Sequence, residues 1–413
     1  MTGEAPDHGS DLGAEFRAAW PQVVRSLAVT TRSLDLGEEY AAEAFARAAT
    51  QPPGRIDDLA AWCVAVGKRA FLDDARRQAV FQRLRPELAR PETTDLMDPT
   101  SPGDSLDDRL ALLFVACDDQ LAPGAQLVLT MRVVCGLSTQ QIARHLGISD
   151  ATAAARLTRA KSGLAKSRGE FSLPSPAERL VRLPVVLACV AGLFTVGQRE
   201  VMAPVDATAD PARDALSLAE ALVAEYPDEV EVLALRAVCR LGLARRPGRV
   251  RDGVALPLEE SDRTAWDRAL LEAGLDDAAD SAHRCSSPGR FTLEAAISGL
   301  HATAPTAEQT DWERLATLYD ALAEVWASPA VEVARLVVRG RLALRDHGAL
   351  TAVELGLERL VSDGPAYAAR DAGFALADLA HRTGRREEAA ARYRELLEVT
   401  PEGPVREFCR SRL

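Results

Sequence analysis

A basic helix near the middle of the chain carries side chains that suit the binding of a nucleic acid. Within ATAAARLTRAK (151–161), Thr152, Arg156 and Arg159 fall on one stripe of a helix that turns by about 100° per residue. Arginine presents a planar fork of donors that fits phosphate oxygens and the edge of guanine. A second stripe is apolar and is expected to pack: Ala153, Leu157, Ala160 and Leu164. The pattern predicts a DNA-binding surface, although basic amphipathic helices are also common as solvated faces.

The residues before this helix predict a partner helix and a tight turn. Ser138 and Gln141 have the spacing of a capping box, which starts a helix. Gly147 can adopt the left-handed conformation of a helix exit, and Ser149 or Asp150 can cap the next helix. Together these features outline a helix-turn-helix. Helix pairs of this shape also occur in proteins that do not bind DNA, and that alternative stays open.

Three further residues bear on how this surface works. Ala154 and Ala155 stand beside the arginines and can offer only methyl contacts to DNA. His145 in the first helix is expected to face the solvent or contact a phosphate rather than to act in catalysis. We therefore expect a small set of DNA contacts.

The charge and composition of the whole chain limit the function classes. The chain has 413 residues and a formal net charge of −12, so it is not a general nucleic-acid binder. Residues 126–168 are the exception, because they hold seven Lys and Arg against one Asp. A hydrophobic content of 47% with 5% aromatics favours helices packed on helices, and no run has the periodicity of a strand. We expect an all-α protein of roughly two to four domains.

The motifs give no support to catalysis, metal binding or membrane insertion. Seven cysteines and six histidines are dispersed, without a C-x-x-C pair, an H-E-x-x-H motif or a glycine-rich phosphate loop. We expect no enzyme activity, no metal, no cofactor and the reduced thiols of a cytoplasmic protein. The longest apolar run, 183–196, is too short to cross a bilayer and predicts a buried helix. The first residues lack the apolar core of a signal peptide.

Breaks in composition divide the chain into parts. Residues 91–108 predict a linker between a helical block at 11–90 and the helix-turn-helix block at 109–168. Apolar spacing in the first block predicts helices at 15–29, 38–49 and 59–80.

The C-terminal part, 178–413, predicts an array of helix pairs with a loop at 245–257. Its end matches the small, aromatic and proline positions of a tetratricopeptide repeat: Leu376, Ala377, Gly384, Ala389, Tyr393 and Pro401. Generic antiparallel helices without a true repeat remain the alternative.

Longer stretches of the sequence resemble a known family. DDRLALLFVACDDQLAPGAQLVLTMRVVCGLSTQQIARHLG and ATAAARLTRAK resemble region 4 of bacterial extracytoplasmic-function sigma factors, and EEYAAEAFARAA and AWCVAVGKRAFLDDARRQ resemble region 2. Residues 258–275, 291–322 and 382–401 resemble the tetratricopeptide-like extension of the large subgroup of that family. The resemblance covers nearly the whole chain and implies a factor that initiates transcription.

The resemblance implies RNA polymerase core and promoter DNA as partners, with a regulatory protein as a further candidate on the C-terminal helices and no membrane. The resemblance assigns docking on polymerase to Glu38, Glu39, Glu43 and Phe45. Recognition of the minus-ten element falls to Trp62, Lys68, Arg69, Asp73, Arg76 and Arg77, of which Trp62 and Asp73 could equally be structural. Recognition of the minus-thirty-five element falls to Gln140, Thr152, Arg156, Arg159 and Lys161.

Several positions depart from the family pattern, and each departure removes a donor or a charge. Ala42 replaces a glutamine of the docking helix, Ala70 a basic residue of the melting helix, and Ala154 and Ala155 longer polar residues of the DNA-reading helix. An alternative function therefore stays open, that of a sigma-like regulator acting mainly as a protein-interaction module. For the C-terminal part, masking of the basic helix and a requirement in transcription are both open.

Overall fold

The computed structural model describes residues 8–51, 56–83, 106–200, 209–345 and 347–413. Within these ranges the regular secondary structure is almost entirely helical, with 18 α-helices and one two-stranded hairpin, so the predicted all-α class is confirmed. Apart from its last three residues, the linker predicted at 91–108 lies outside the described residues.

The chain divides into two compact units. The N-terminal unit comprises residues 1–193 and 206–214, and the C-terminal unit comprises residues 194–205 and 215–413. The first eight helices are α1 (His8–Thr31), α2 (Leu34–Ala48), α3 (Leu59–Arg83), α4 (Asp108–Ala116), α5 (Pro123–Val133), α6 (Thr139–Leu146), α7 (Asp150–Arg168) and α8 (Pro176–Glu200).

Helices α1 to α3 confirm the helices predicted at 15–29, 38–49 and 59–80. Helix α2 begins at Leu34, earlier than predicted, because the side chain of Ser33 accepts a hydrogen bond from the Leu36 N–H and caps the helix. The apolar spacing used for the prediction does not register such a cap, so the predicted helix starts too late.

Helix α1 forms the centre of the N-terminal unit. Its residues Trp20, Val23, Val24 and Leu27 are at most 1% exposed, and the helix packs against α2, α3, α4 and α5. The indole N–H of Trp20 donates a hydrogen bond of 3.1 Å to the carbonyl oxygen of Arg132 on α5. This bond satisfies a buried donor and connects the first helical block to the helix-turn-helix block.

Helix α8 contains the apolar run that the sequence predicts to be a buried helix. Val186, Val190 and Leu193 are completely buried, which confirms the prediction for its inward face. By length and composition α8 is also the one helix in the described ranges that could cross a membrane, and core helices of soluble proteins meet the same criterion.

The C-terminal unit consists mainly of consecutive helices that pack on one another. They are α9 (Pro211–Glu225), whose first turn belongs to the N-terminal unit, α10 (Val230–Arg245), α11 (Arg268–Arg284), α12 (Arg290–Thr303), α13 (Trp312–Val325), α14 (Pro329–Leu342), α15 (His347–Asp363), α16 (Ala366–Arg382), α17 (Arg386–Val399) and α18 (Pro404–Ser411). Near its end, Ala377, Ala389 and Tyr393 share one buried cluster, and Gly384, with φ of 78°, lies in the turn between α16 and α17.

The segment predicted as a loop at 245–257 contains more structure than expected. A 3-10 turn (Arg246–Arg249) is followed by an antiparallel hairpin of β1 (Val250–Arg251) and β2 (Val254–Ala255). Asp252 and Gly253 between the strands have φ of 51° and 78°, as tight hairpin turns with an Asp-Gly pair require. Strands of two residues are too short for an alternating pattern, so only the Asp-Gly pair could have predicted them.

Candidate nucleic-acid interface

The helix-turn-helix predicted from the sequence is present in its details. The Ser138 side chain accepts a hydrogen bond from the Gln141 N–H (3.2 Å), and the Gln141 side chain accepts one from the Ser138 N–H (2.9 Å), which completes the capping box. Gly147 adopts the left-handed conformation with φ of 64°. The Ser149 side chain then accepts a hydrogen bond from the Thr152 N–H and caps α7. These caps fix the start of α7 and therefore the direction of its side chains.

The two stripes of α7 lie as the helical spacing predicts. The apolar stripe is buried, with exposures between 0% and 7%: Ala153, Leu157, Ala160 and Leu164. On the other stripe Arg159 is exposed, Thr152 and Arg156 are half-buried, and Gln140 on α6 is exposed nearby in sequence. Arg159 donates to the carbonyl of Ala155 (3.2 Å). Within the described residues neither Arg156 nor Arg159 forms an ion pair, so both guanidinium groups can bind an anion.

Lys161 differs from Arg156 and Arg159 on α7 because two carboxylates of α2 bind its ammonium group. Its ammonium lies 2.7 Å from a carboxylate oxygen of Asp35 and 2.8 Å from one of Glu38. Burial opposes the charged form, but the two carboxylates outweigh it and raise the pKa of Lys161. In this arrangement the positive charge of Lys161 is already neutralised within the N-terminal unit.

The residues assigned to polymerase docking do not share one surface. Glu39 and Glu43 are exposed, whereas Glu38 and Phe45 are each 5% exposed. Phe45 packs in an aromatic cluster with Phe16 (ring centroids 4.6 Å apart). Helix α2 thus presents two of the four side chains outward and uses the other two inside the unit.

Glu38 lies in a buried ion-pair cluster. Its second carboxylate oxygen accepts a hydrogen bond of 2.6 Å from Arg132, whose guanidinium also donates to the Leu137 carbonyl (3.0 Å). Arg132 and its role were missed by the sequence interpretation. An arginine within the apolar run LVLTMRVV was the available signal, because a charge in a buried helix needs a partner.

The residues assigned to the minus-ten element line one helix, α3. Arg69, Asp73, Arg76 and Arg77 are exposed, and Trp62 and Lys68 are half-buried. Arg76 pairs with Asp73 at 3.3 Å, and Arg77 pairs with Asp74. These pairs lie within one helix on a solvated surface, so they are weak and leave the arginines able to exchange a carboxylate for a phosphate.

Asp74, which follows the predicted Asp73 but was not itself in the predicted set, links α3 to α2. It accepts a hydrogen bond of 3.0 Å from the hydroxyl of Tyr40. Burial, with this bond to Asp74, raises the pKa of Tyr40 to about 12. The link holds the basic surface of α3 against α2.

The expectation that His145 faces the solvent is wrong. The side chain is only 8% exposed. It follows Ile142 by three residues on a short helix, and residues at that spacing share a face. Because Ile142 is fully buried, His145 is carried into the same interface. Its position on the packed side of α6 makes it part of the scaffold of the helix-turn-helix.

The described part of the chain offers no obvious metal centre. Within it, no group of three or more His, Cys, Asp or Glu side chains is placed to hold a metal ion.

Comparisons with known proteins match separate parts of the chain. Residues 112–164 match the family model for sigma-70, region 4, and residues 182–282 match a family of unknown function, DUF6596. The first match covers α5, α6 and most of α7, which carry the residues assigned to the minus-thirty-five element, whereas the residues assigned on α2 and α3 lie outside it. No solved structure matches the chain.

Two curated relatives cover longer stretches. An uncharacterized protein of Rhizobium meliloti (strain 1021) is 36% identical over 327 residues, which span 78% of this chain and 77% of that protein. The probable ECF RNA polymerase sigma factor SigI of Mycobacterium tuberculosis is 27% identical over 162 residues, which span 38% of this chain and 56% of SigI. The match to SigI therefore concerns only part of either protein.

Proposed function

The chain belongs to the same family as that Rhizobium meliloti protein and is a relative of sigma factors, and from this premise we propose that it directs RNA polymerase core to specific promoters. The observation that carries the proposal is the exposed stripe of α7. It presents Arg156 and Arg159, which have no acidic partner in the part of the chain that the structure describes, inside the segment that matches sigma-70 region 4. Unpaired arginines on a capped, rigid helix suit both phosphate oxygens and guanine edges in the major groove.

Helices α7, α3 and α2 each have a separate role in this proposal. Helix α7 contacts the minus-thirty-five element through Thr152, Arg156 and Arg159, with Gln140 of α6 beside them. Helix α3 contacts the minus-ten element, where arginines hold the phosphates and Trp62 offers an aromatic surface for an unstacked base. Helix α2 docks on the polymerase with its exposed Glu39 and Glu43. The protein works in the cytoplasm without a cofactor.

The C-terminal unit supplies a docking or regulatory surface in this proposal, built on tetratricopeptide-like helix pairs. Support comes from the consecutive packing of its helices and from the buried cluster of Ala377, Ala389 and Tyr393 next to the Gly384 turn. A partner protein bound on these helices would regulate transcription without touching DNA.

Run-off transcription with purified core polymerase and the full chain tests the proposal. Templates are the upstream regions of the native genome, and we expect a product with a defined start on a few of them. The double variant Arg156→Ala/Arg159→Ala should lose this product. The matched control Arg268→Ala/Arg386→Ala removes two exposed arginines from the C-terminal unit and should retain it.

A second candidate function is a sigma-like regulator that acts mainly through protein contacts. The exposed Ala154 and Ala155, together with the neutralised Lys161, favour it because they leave α7 few groups for DNA. In that case the chain binds core polymerase, but no upstream region gives a product with a defined start. The same transcription experiment, with co-sedimentation of chain and core, therefore separates the two functions.

A further inference from the structure

Half-buried arginines in the C-terminal unit generally meet a carboxylate. Those that do so are Arg236, Arg240, Arg290, Arg335, Arg341, Arg370, Arg385, Arg392, Arg406 and Arg412. Three other half-buried arginines, Arg245, Arg249 and Arg263, form no ion pair within the described residues. The unit is rich in Asp and Glu, so a shortage of acids does not explain the difference.

These three arginines lie close together in the fold. Arg245 ends α10, and Arg249 ends the 3-10 turn that follows. That turn is joined to the segment of Arg263 because the carbonyl of Gly248 accepts hydrogen bonds from the Asp262 N–H (3.1 Å) and the Ser261 hydroxyl (3.0 Å).

The C-terminal end of α12 lies beside these arginines and contributes His301. Arg263 donates to the carbonyls of His301 (3.1 Å) and Ala304 (2.7 Å), and its guanidinium lies 4.8 Å from the ring centre of Trp266. The ring of His301 stands edge-on to Trp312 on α13. Three guanidinium groups and one imidazole thus cluster where the end of α10, the 3-10 turn and the end of α12 meet, close enough for the charges of Arg249 and Arg263 to act on Arg245 and those of Arg245 and Arg263 to act on His301.

The hydrogen bonds of the three arginines do not neutralise them. Arg245 donates only to the carbonyl of Leu241 in its own helix (3.1 Å), and Arg249 has no side-chain hydrogen bond within the described residues. Burial, with repulsion from Arg249 and Arg263, lowers the pKa of Arg245 to about 10. Burial, with the positive charges of Arg245 and Arg263, lowers the pKa of His301 to about 4. Grouped cations taken from water without a counter-charge are unfavourable.

We propose that Arg245, Arg249 and Arg263, with His301, form a binding site for the phosphate or pyrophosphate group of a small molecule. Three forked donors match the several oxygens of such a group, and its multiple negative charge offsets theirs better than a single carboxylate does. Arg249 is the main contact because its donors are not used by the protein. The site makes the C-terminal unit a sensor of a phosphorylated ligand, and its existence does not depend on the sigma-factor function.

Isothermal titration of the full chain at low ionic strength tests the site, with inorganic phosphate, pyrophosphate and adenosine diphosphate as probes. We expect pyrophosphate to bind and to raise the midpoint of thermal unfolding. Arg249→Met should weaken its binding by roughly tenfold or more, because it removes a charged pair of hydrogen bonds. The fold should persist, since this guanidinium holds no part of the described structure together.

The matched control is Arg251→Met, two residues further on, where an exposed guanidinium pairs with Asp262 at 3.5 Å. It should change pyrophosphate binding by less than about twofold. Equal binding of pyrophosphate and adenosine diphosphate supports a site that contacts the phosphates alone, and tighter binding of the nucleotide supports one that also contacts the base.

Three results overturn the site. They are no binding of any probe to the wild-type chain, equal weakening in Arg249→Met and Arg251→Met, and binding of chloride or sulfate as tight as that of pyrophosphate. If Arg249→Met proves less helical than the wild type by circular dichroism, Arg263→Lys serves instead. That variant keeps the charge but loses the fork, and pyrophosphate affinity unchanged from the wild type would then contradict the proposal.

Discussion

Two arginines of α7 and most half-buried arginines of the C-terminal unit differ in whether a carboxylate binds them. Arg156 and Arg159 lie along an outward stripe and meet no carboxylate within the described residues. In the C-terminal unit, Arg236 on α10 makes two hydrogen bonds to Asp277 on α11, at 2.8 and 2.9 Å, and Arg335 on α14 contacts Asp320 on α13 at 2.6 Å. There the guanidinium group joins one helix to the next.

The difference shows how to distinguish a structural arginine from one that binds a ligand. A carboxylate on the neighbouring helix satisfies the donors and fixes the packing of the pair. An arginine without such a partner keeps a charge that no carboxylate offsets, and that charge is available to phosphate. By this criterion α7 carries the proposed nucleic-acid surface, and the three arginines near the 3-10 turn that form no ion pair within the described residues mark the proposed anion site.

Replacing a carboxylate that lies between helices should give the largest effect. Asp277 is 7% exposed and holds both Arg236 and Arg240, so Asp277→Ala leaves two half-buried cations without a partner. We expect the unfolding free energy of α10 and α11 to fall by about 3–5 kcal/mol. Hydrogen exchange measures this energy. The control Asp280→Ala, on the same helix with an exposed partner, should change it by less than about 0.5 kcal/mol. Equal decreases of the unfolding free energy in Asp277→Ala and Asp280→Ala would contradict a structural role of the buried carboxylate.

Removing both arginines of α7 should affect DNA binding but not stability. For Arg156→Ala/Arg159→Ala in complex with core polymerase, we expect promoter affinity to fall by about 30-fold to several hundred-fold. The slope of log affinity against log salt should decrease by about two, because two phosphate contacts are lost. Filter binding at several salt concentrations measures both. An unchanged slope would contradict a role of these arginines at phosphates.

Lys161 should matter less for DNA than its neighbours, because Asp35 and Glu38 already neutralise it. We expect Lys161→Met to lower promoter affinity by less than about threefold. The same variant should lower the thermal midpoint, since it takes one of two cations from the buried Glu38. A loss of affinity as large as that of the double variant would mean that Lys161 leaves α2 when DNA binds.

The smallest effect is expected from an interhelical pair that water reaches. The Asp320 side chain is 45% exposed beside Arg335 and Arg339. Asp320→Ala should change the unfolding free energy of α13 and α14 by less than about 1 kcal/mol. Together with Asp277→Ala, this measurement shows whether burial, rather than pairing itself, gives these arginines their structural importance.

Much of the fold could be predicted because its signals are local. The capping box at Ser138, the glycine exit at Gly147 and the apolar stripe of α7 each depend on residues within a few positions of one another. The early start of α2 and the hairpin at 250–255 were missed because one depends on a single cap and the other on strands of two residues.

The candidate site was predictable only in part. Helical spacing placed Arg156 and Arg159 outward, whereas the expectation of a solvent-facing His145 overlooked its spacing from Ile142, and both residues are buried. Apolar spacing grouped Phe45 with Tyr40 and Ala44, which are buried, but it gave no indication that Glu38 lies inside the unit, because the partner of Glu38 is Arg132 on α5. Charge counts over 126–168 did not separate Lys161 from the arginines either.

The sequence by itself determined which side chains could contact DNA, because one helix and its caps set the direction of every residue on α7. Only the tertiary structure decided which of those side chains remain available. Lys161 meets Asp35, 126 residues away in the sequence, whereas no such carboxylate reaches Arg156 or Arg159 within the described residues. The partner of a charge is set by the packing of distant helices, and spacing along one helix carries no information about that packing.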